Sequence, residues 1–149
     1  MKPVGQLVVG NGRDGRPLGD CLRACLASIL EMPAEVVPHF LDRGPSWLRD
    51  LRGWLGLVGL TLEWAGHDPA DAPPFWPSGW WIASVSSDVF EGGEHAVVMR
   101  GTMSGGDQHW QRVAHDPSPH PRRAPYVFNG RWTLVAIDPA AIARSFAAA

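Results

Sequence analysis

No excess of basic charge is present. Thirteen lysines and arginines stand against fifteen aspartates and glutamates over 149 residues, a formal net charge of -2. Nucleic-acid binding through a general basic field is therefore not expected, although a local basic patch stays open. No apolar run approaches the roughly 18 residues of a membrane span. Met1-Lys2-Pro3-Val4-Gly5-Gln6 carries one lysine and no long apolar stretch, so it does not read as a secretory signal. These features lead to the expectation of a cytoplasmic protein with no membrane association; they say nothing of oligomeric state. Cysteine is scarce as well, with only Cys21 and Cys25. Four residues apart on one helix, the pair does not reach disulfide geometry without distortion. Zinc takes about four ligands, and this spacing matches none of the common knuckles. Neither a metal nor another cofactor is expected.

What is present suits one domain over residues 1–149: a hydrophobic fraction of 45% and enough length for a sizeable core. The most informative stretch is Gly19-Asp20-Cys21-Leu22-Arg23-Ala24-Cys25-Leu26-Ala27-Ser28-Ile29-Leu30. Leu22, Leu26, Ile29 and Leu30 recur at helical spacing, and Asp20 stands where an N-cap carboxylate would accept the free N–H groups of the first turn. Cys21 then occupies the positive end of the helix dipole, which favours the thiolate. Cys25 falls one turn inside, on the apolar side, and reads as packing.

Tyrosine is nearly absent, one residue against eight tryptophans. The tryptophans fit a large aromatic core. Phe75-Trp76-Pro77-Ser78-Gly79-Trp80-Trp81 is broken by Pro and Gly and also fits a groove wall, which makes Trp80 and Trp81 candidate substrate-binding residues.

Along the chain, Leu7-Val8-Val9 is β-prone and Gly10 to Pro17 is turn material. A helix follows from about Asp20 to Glu31, then a short helical turn between Pro33 and Pro38. A second helix runs from Trp47 to Gly56, capped by Ser46. Strands are expected at 60–64, 80–85, 95–100, 109–114 and 131–137, with an irregular Pro-rich loop from Pro117 to Pro125. Ala140 to Ala149 reads as a short helix or a tail. Helices first and neighbouring strands after mean α+β, an antiparallel sheet with helices on one side.

A nucleophilic cysteine needs a base, and the base needs an orienting group. His95 opens one expected strand and Asp116 ends the next, 21 residues on. In an antiparallel hairpin those two ends share one edge of the sheet. Packed against that edge, the Cys21 helix would bring nucleophile, base and orienter together. Each residue also has a bland reading: a buried thiol, a strand histidine, an Asp-Pro turn like Asp138-Pro139. His115 faces away from Asp116 on the same strand, and Asp116 is the preferred partner. Arg122-Arg123 reads as a solvated loop, or as a holder of a substrate carboxylate or phosphate.

The Gly19 to Leu30 segment, Gln6 upstream of it, His95-Ala96-Val97-Val98 and His115-Asp116-Pro117 together give the chain a likeness to a known group. It resembles papain-like cysteine hydrolases of the compact bacterial type, similar to the bacteriocin leader-processing peptidases. It also resembles small uncharacterised bacterial and phage proteins with a similar helix followed by Val36-Val37-Pro38-His39-Phe40. The resemblance implies a papain-like fold and a Cys21–His95–Asp116 triad acting through an acyl-enzyme on an amide, peptide or thioester bond. It further implies Gln6 as the oxyanion donor, 15 residues before Cys21, a longer gap than in those peptidases. The Cys21 backbone N–H and Asn11 are the other donors at hand. The competing expectation is a non-catalytic binding module with a tryptophan-lined ligand groove; a thiol-redox protein using both cysteines comes third.

Overall fold

The computed structural model describes residues 1–12, 18–66, 79–101, 112–120 and 125–136. Among these residues two α-helices precede five strands: α1 (Cys21–Leu30), α2 (Trp47–Gly56), β1 (Leu60–Gly66), β2 (Gly79–Ser86), β3 (Glu94–Gly101), β4 (Arg112–His115) and β5 (Phe128–Ala136). Two 3-10 segments, Ala34–Val36 and Phe40–Ser46, link the helices. The strands form one sheet in the order β1-β5-β2-β3-β4, and every pairing is antiparallel. The α+β expectation therefore stands as to architecture, and the helix boundaries fall within a residue of the sequence reading.

The helices cover one face of the sheet, α1 against β3 and β2 and α2 against β1. Leu22, Cys25, Leu26, Leu51, Leu55, Leu62, Ile82 and Val98 are buried together there. The opposite face buries Trp81, Ala83, Val85, Val97 and Met99. This division follows from the two-residue period of a strand: 82 faces the helices, while 81, 83 and 85 face away. Residues 82–85 are buried on both faces, and the run Ile82-Ala83-Ser84-Val85 is accordingly almost free of strongly polar side chains.

Three local expectations are corrected. Leu7-Val8-Val9 belongs to no strand, because the Leu7 and Val8 N–H groups donate to the Asp20 carboxylate instead of to a neighbouring strand. Asp20 in turn is not a side-chain N-cap, its oxygens being directed at that segment and at Arg23. Ser46 makes no cap bond either, and its hydroxyl donates to Asp50 at 2.8 Å. Residues 13–17 of the first turn, the 67–74 connection, Phe75 to Ser78, the reversal at 104–107, His109, Arg122-Arg123 and the 140–149 tail lie outside the described residues. No single helix among the described residues is long and apolar enough to cross a membrane.

Candidate active site

Cys21 is the first residue of α1 and lies against the start of β3. The Ala96 N–H donates to its sulfur at 3.4 Å. His95, whose pKa the Cys21 sulfur helps to raise, lines the same cleft as Cys21. His95 Nε2 contacts Asp116 Oδ1 at 2.7 Å. The carboxylate is itself held: the Ser118 N–H donates to Oδ1 at 2.9 Å and the Tyr126 hydroxyl to Oδ2 at 2.9 Å. Cys21, His95 and Asp116 thus stand as a row along one cleft, with His95 bonded to Asp116.

Hairpin geometry produces this convergence. The β3–β4 ladder ends at Val98↔His115, with a register shift there, so the residues beyond it are free of the ladder. Asp116 follows β4 directly and reaches back toward His95. The adjacent His115 goes elsewhere, donating from Nε2 to the Val4 carbonyl at 2.8 Å, and it fastens the N-terminal segment. The two adjacent side chains thus take different partners, Val4 for His115 and His95 for Asp116.

Electrostatics match the row. Burial disfavours the charged form of His95, but hydrogen bonds to Asp116 and Cys21 and their negative charge outweigh it and raise its pKa to about 9. Burial likewise works against the charged form of Asp116, yet the His95 contact, the Ser118 N–H and the Tyr126 hydroxyl hold its carboxyl below the usual range. Cys25 is fully buried. Burial pushes its thiol well up, and the negative charges of Cys21 and Asp116 add to this. Both thiols are free, so no disulfide joins them.

A cleft of about 500 Å³ opens on the row. Cys21, His95 and Asp116 line it, together with Gln6, Asn11 and Gly19. One wall comes from Leu41, Gly44, Pro45 and Trp47, where the chain breaks its helical path at Gly44 (φ 65°). The other is the β2–β3 turn from Ser87 to Glu94, closed by a bond from Ser87 N–H to the Gly93 carbonyl at 2.9 Å. Cys21 itself is 9% exposed.

Trp80 and Trp81 do not line this cleft, which corrects the groove expectation. Val85 pairs with His95 and Trp80 with Arg100, so the two tryptophans lie about 14–17 Å along β2 from the histidine. Trp81 is buried in the core facing away from the helices, and Trp80 packs beneath the helices with the Arg100 guanidinium 5.4 Å from its ring centre. Helical periodicity marks Trp47 as core, yet it lines the cleft, edge-on to Trp132 at 5.5 Å.

Tyr126 and the Ala96 N–H are the participants that sequence reasoning misses. Ala96 acts through its backbone and has no side-chain signal. Tyr126 is the chain's single tyrosine, but nothing in its spacing ties it to Asp116. Tyr126→Phe is expected to lower stability by about 1–2 kcal/mol, the worth of a hydrogen bond to a partly exposed carboxylate. Urea denaturation measures this, and Cys21 should keep its rate of alkylation, since the His95–Asp116 contact persists.

The comparisons with known proteins are silent. No protein-family model matches the chain, and none of the curated proteins or solved structures compared with it matches.

Proposed function

We propose that this protein is a cysteine hydrolase or acyltransferase of papain-like type, acting on an amide, peptide or thioester bond. The observation that carries the reading is that Cys21, His95 and Asp116 line one cleft, with His95 hydrogen-bonded to Asp116. In it the Cys21 thiolate attacks the substrate carbonyl carbon. The carbonyl π electrons move to oxygen, which the Cys21 N–H meets, since a first-turn amide has no intrahelical acceptor. The Gln6 side-chain amide is the second donor. Collapse of this intermediate expels the amine or thiolate while the His95 imidazolium supplies its proton. Water or an acceptor amine then attacks the thioester, gives its proton to His95, and releases Cys21. Asp116 holds the imidazole in register and favours its charged form.

Mapping of the residue labelled by an electrophilic acyl probe tests the reading. Label on Cys21 supports it; a stable protein in which no label reaches Cys21 removes it and favours a binding module. The pH dependence is a second test. His95 must be protonated to release the leaving group, so hydrolysis falls on the alkaline side with an apparent pKa near 9. Alkylation by iodoacetamide needs only the thiolate and does not fall there. The same proton contributes stability: His95 has a higher pKa folded than its ordinary value near 6.5, so the contribution is complete below about 6.5 and is lost as pH rises through about 9.

A further inference from the structure

Gln6 and Cys21 are 15 residues apart, and an oxyanion donor has to be held to within about 0.5 Å to be effective. What spans that gap is a buried carboxylate. Asp20 is 0% exposed. Its Oδ1 accepts the Val8 N–H at 3.0 Å and its Oδ2 the Leu7 N–H at 3.4 Å. The Asp20 N–H donates back to the Val8 carbonyl at 3.1 Å. That same carbonyl accepts one N–H of the Gln6 amide at 3.2 Å, which leaves the second amide hydrogen for another acceptor. Arg23, one turn on along α1, donates to Asp20 Oδ2 from Nε at 2.9 Å and from Nη2. The Gln6 backbone N–H is tied to the Pro117 carbonyl at 2.9 Å, beside Asp116. Gly19 completes the fit, since a Cβ there would stand 2.8 Å from the Gly10 carbonyl oxygen and 3.5 Å from Gln6 Nε2.

We propose that Asp20, held by Arg23, is a positioning residue that fixes the Gln6 amide at the oxyanion site beside Cys21. Asp20 touches no substrate. It immediately precedes the nucleophile, so the position of Gln6 is referred directly to the start of α1. This explains a carboxylate at the N-cap position that caps nothing: its acceptors are spent on Leu7, Val8 and Arg23. The proposal rests on the acyl-transfer reading above.

Two reactions of the same sulfur separate the roles. Acylation by p-nitrophenyl acetate passes through an oxyanion. Alkylation by iodoacetamide does not. The ratio of the two rates at Cys21 reports the oxyanion site, whereas a general disturbance of the thiol moves both. In Gln6→Ala the ratio should fall about 10²-fold, the usual loss of one donor. In Asp20→Asn it should fall at least about 10-fold with alkylation nearly unchanged. Arg23→Gln should lower it several-fold and Arg23→Lys, which keeps the charge, should recover part of that loss; this pair carries the test where Asp20→Asn does not fold. A ratio within twofold of the native value in Asp20→Asn or, failing that variant, in Arg23→Gln, while Gln6→Ala lowers it, overturns the positioning role and leaves the acyl-transfer reading intact. An unchanged ratio in Gln6→Ala also overturns it, because there is then no donor to position. Absence of acylation at Cys21 in the native protein overturns the acyl-transfer reading, and this inference with it.

Discussion

Cys21→Ala is expected to abolish turnover and to remove all labelling by iodoacetamide near neutral pH, while Cys25→Ala leaves both within about twofold. The two thiols are one helical turn apart, yet their surroundings differ in each respect that governs reactivity. Cys21 starts α1, accepts the Ala96 N–H and lies on the cleft with His95. Cys25 is 0% exposed among Leu22, Leu26 and their neighbours, and burial holds its thiol protonated. Only the thiolate is a nucleophile, so the second sulfur is silent both by access and by charge. Mass spectrometry of the alkylated peptides reads the result directly. Equal labelling of the two cysteines would sink the assignment, because position 21 would then behave no differently from a packing cysteine.

His95→Ala is expected to lower the rate of acyl transfer by about 10²–10⁴-fold, the usual worth of a positioned general acid–base. Alkylation of Cys21 needs no acid for a leaving group and should change far less than acyl transfer. Raising the pH should not substitute for His95 in hydrolysis, because the leaving group still lacks its acid. Measuring both rates from pH 6 to 10 in the native protein and in His95→Ala separates the two reactions. Equal rates of hydrolysis in the two proteins would exclude His95 from the chemistry.

The hairpin argument that links His95 to Asp116 is legible in the sequence because it uses only chain order and strand direction. Start of one antiparallel strand and end of the next must share an edge, whatever the packing around them. Asp20 is misread for the opposite reason. An aspartate before a helix has a strong local preference for capping, and only the long-range approach of Leu7 and Val8 redirects its oxygens. Trp80 and Trp81 fail similarly. Their Pro- and Gly-broken context suggests an exposed groove, but pairing of Trp80 with Arg100 and Trp81 with Met99 places them at the far end of β2. Which end of a strand meets the helix start is a matter of register and packing, and a single strand's composition does not contain it.

The sequence by itself determined the helices, the antiparallel α+β arrangement and the approach of Asp116 to His95, because local periodicity and the geometry of neighbouring strands are written in short stretches of chain. Tertiary structure alone decided what surrounds those residues: the Tyr126 hydroxyl on Asp116, the Ala96 N–H on the sulfur, Trp47 at the cleft, and the Asp20 carboxylate that ties residues 7 and 8 to the start of α1. Each is a contact between segments far apart in the chain. Such contacts depend on how whole elements dock, and a buried donor or acceptor takes the partner that docking brings within reach.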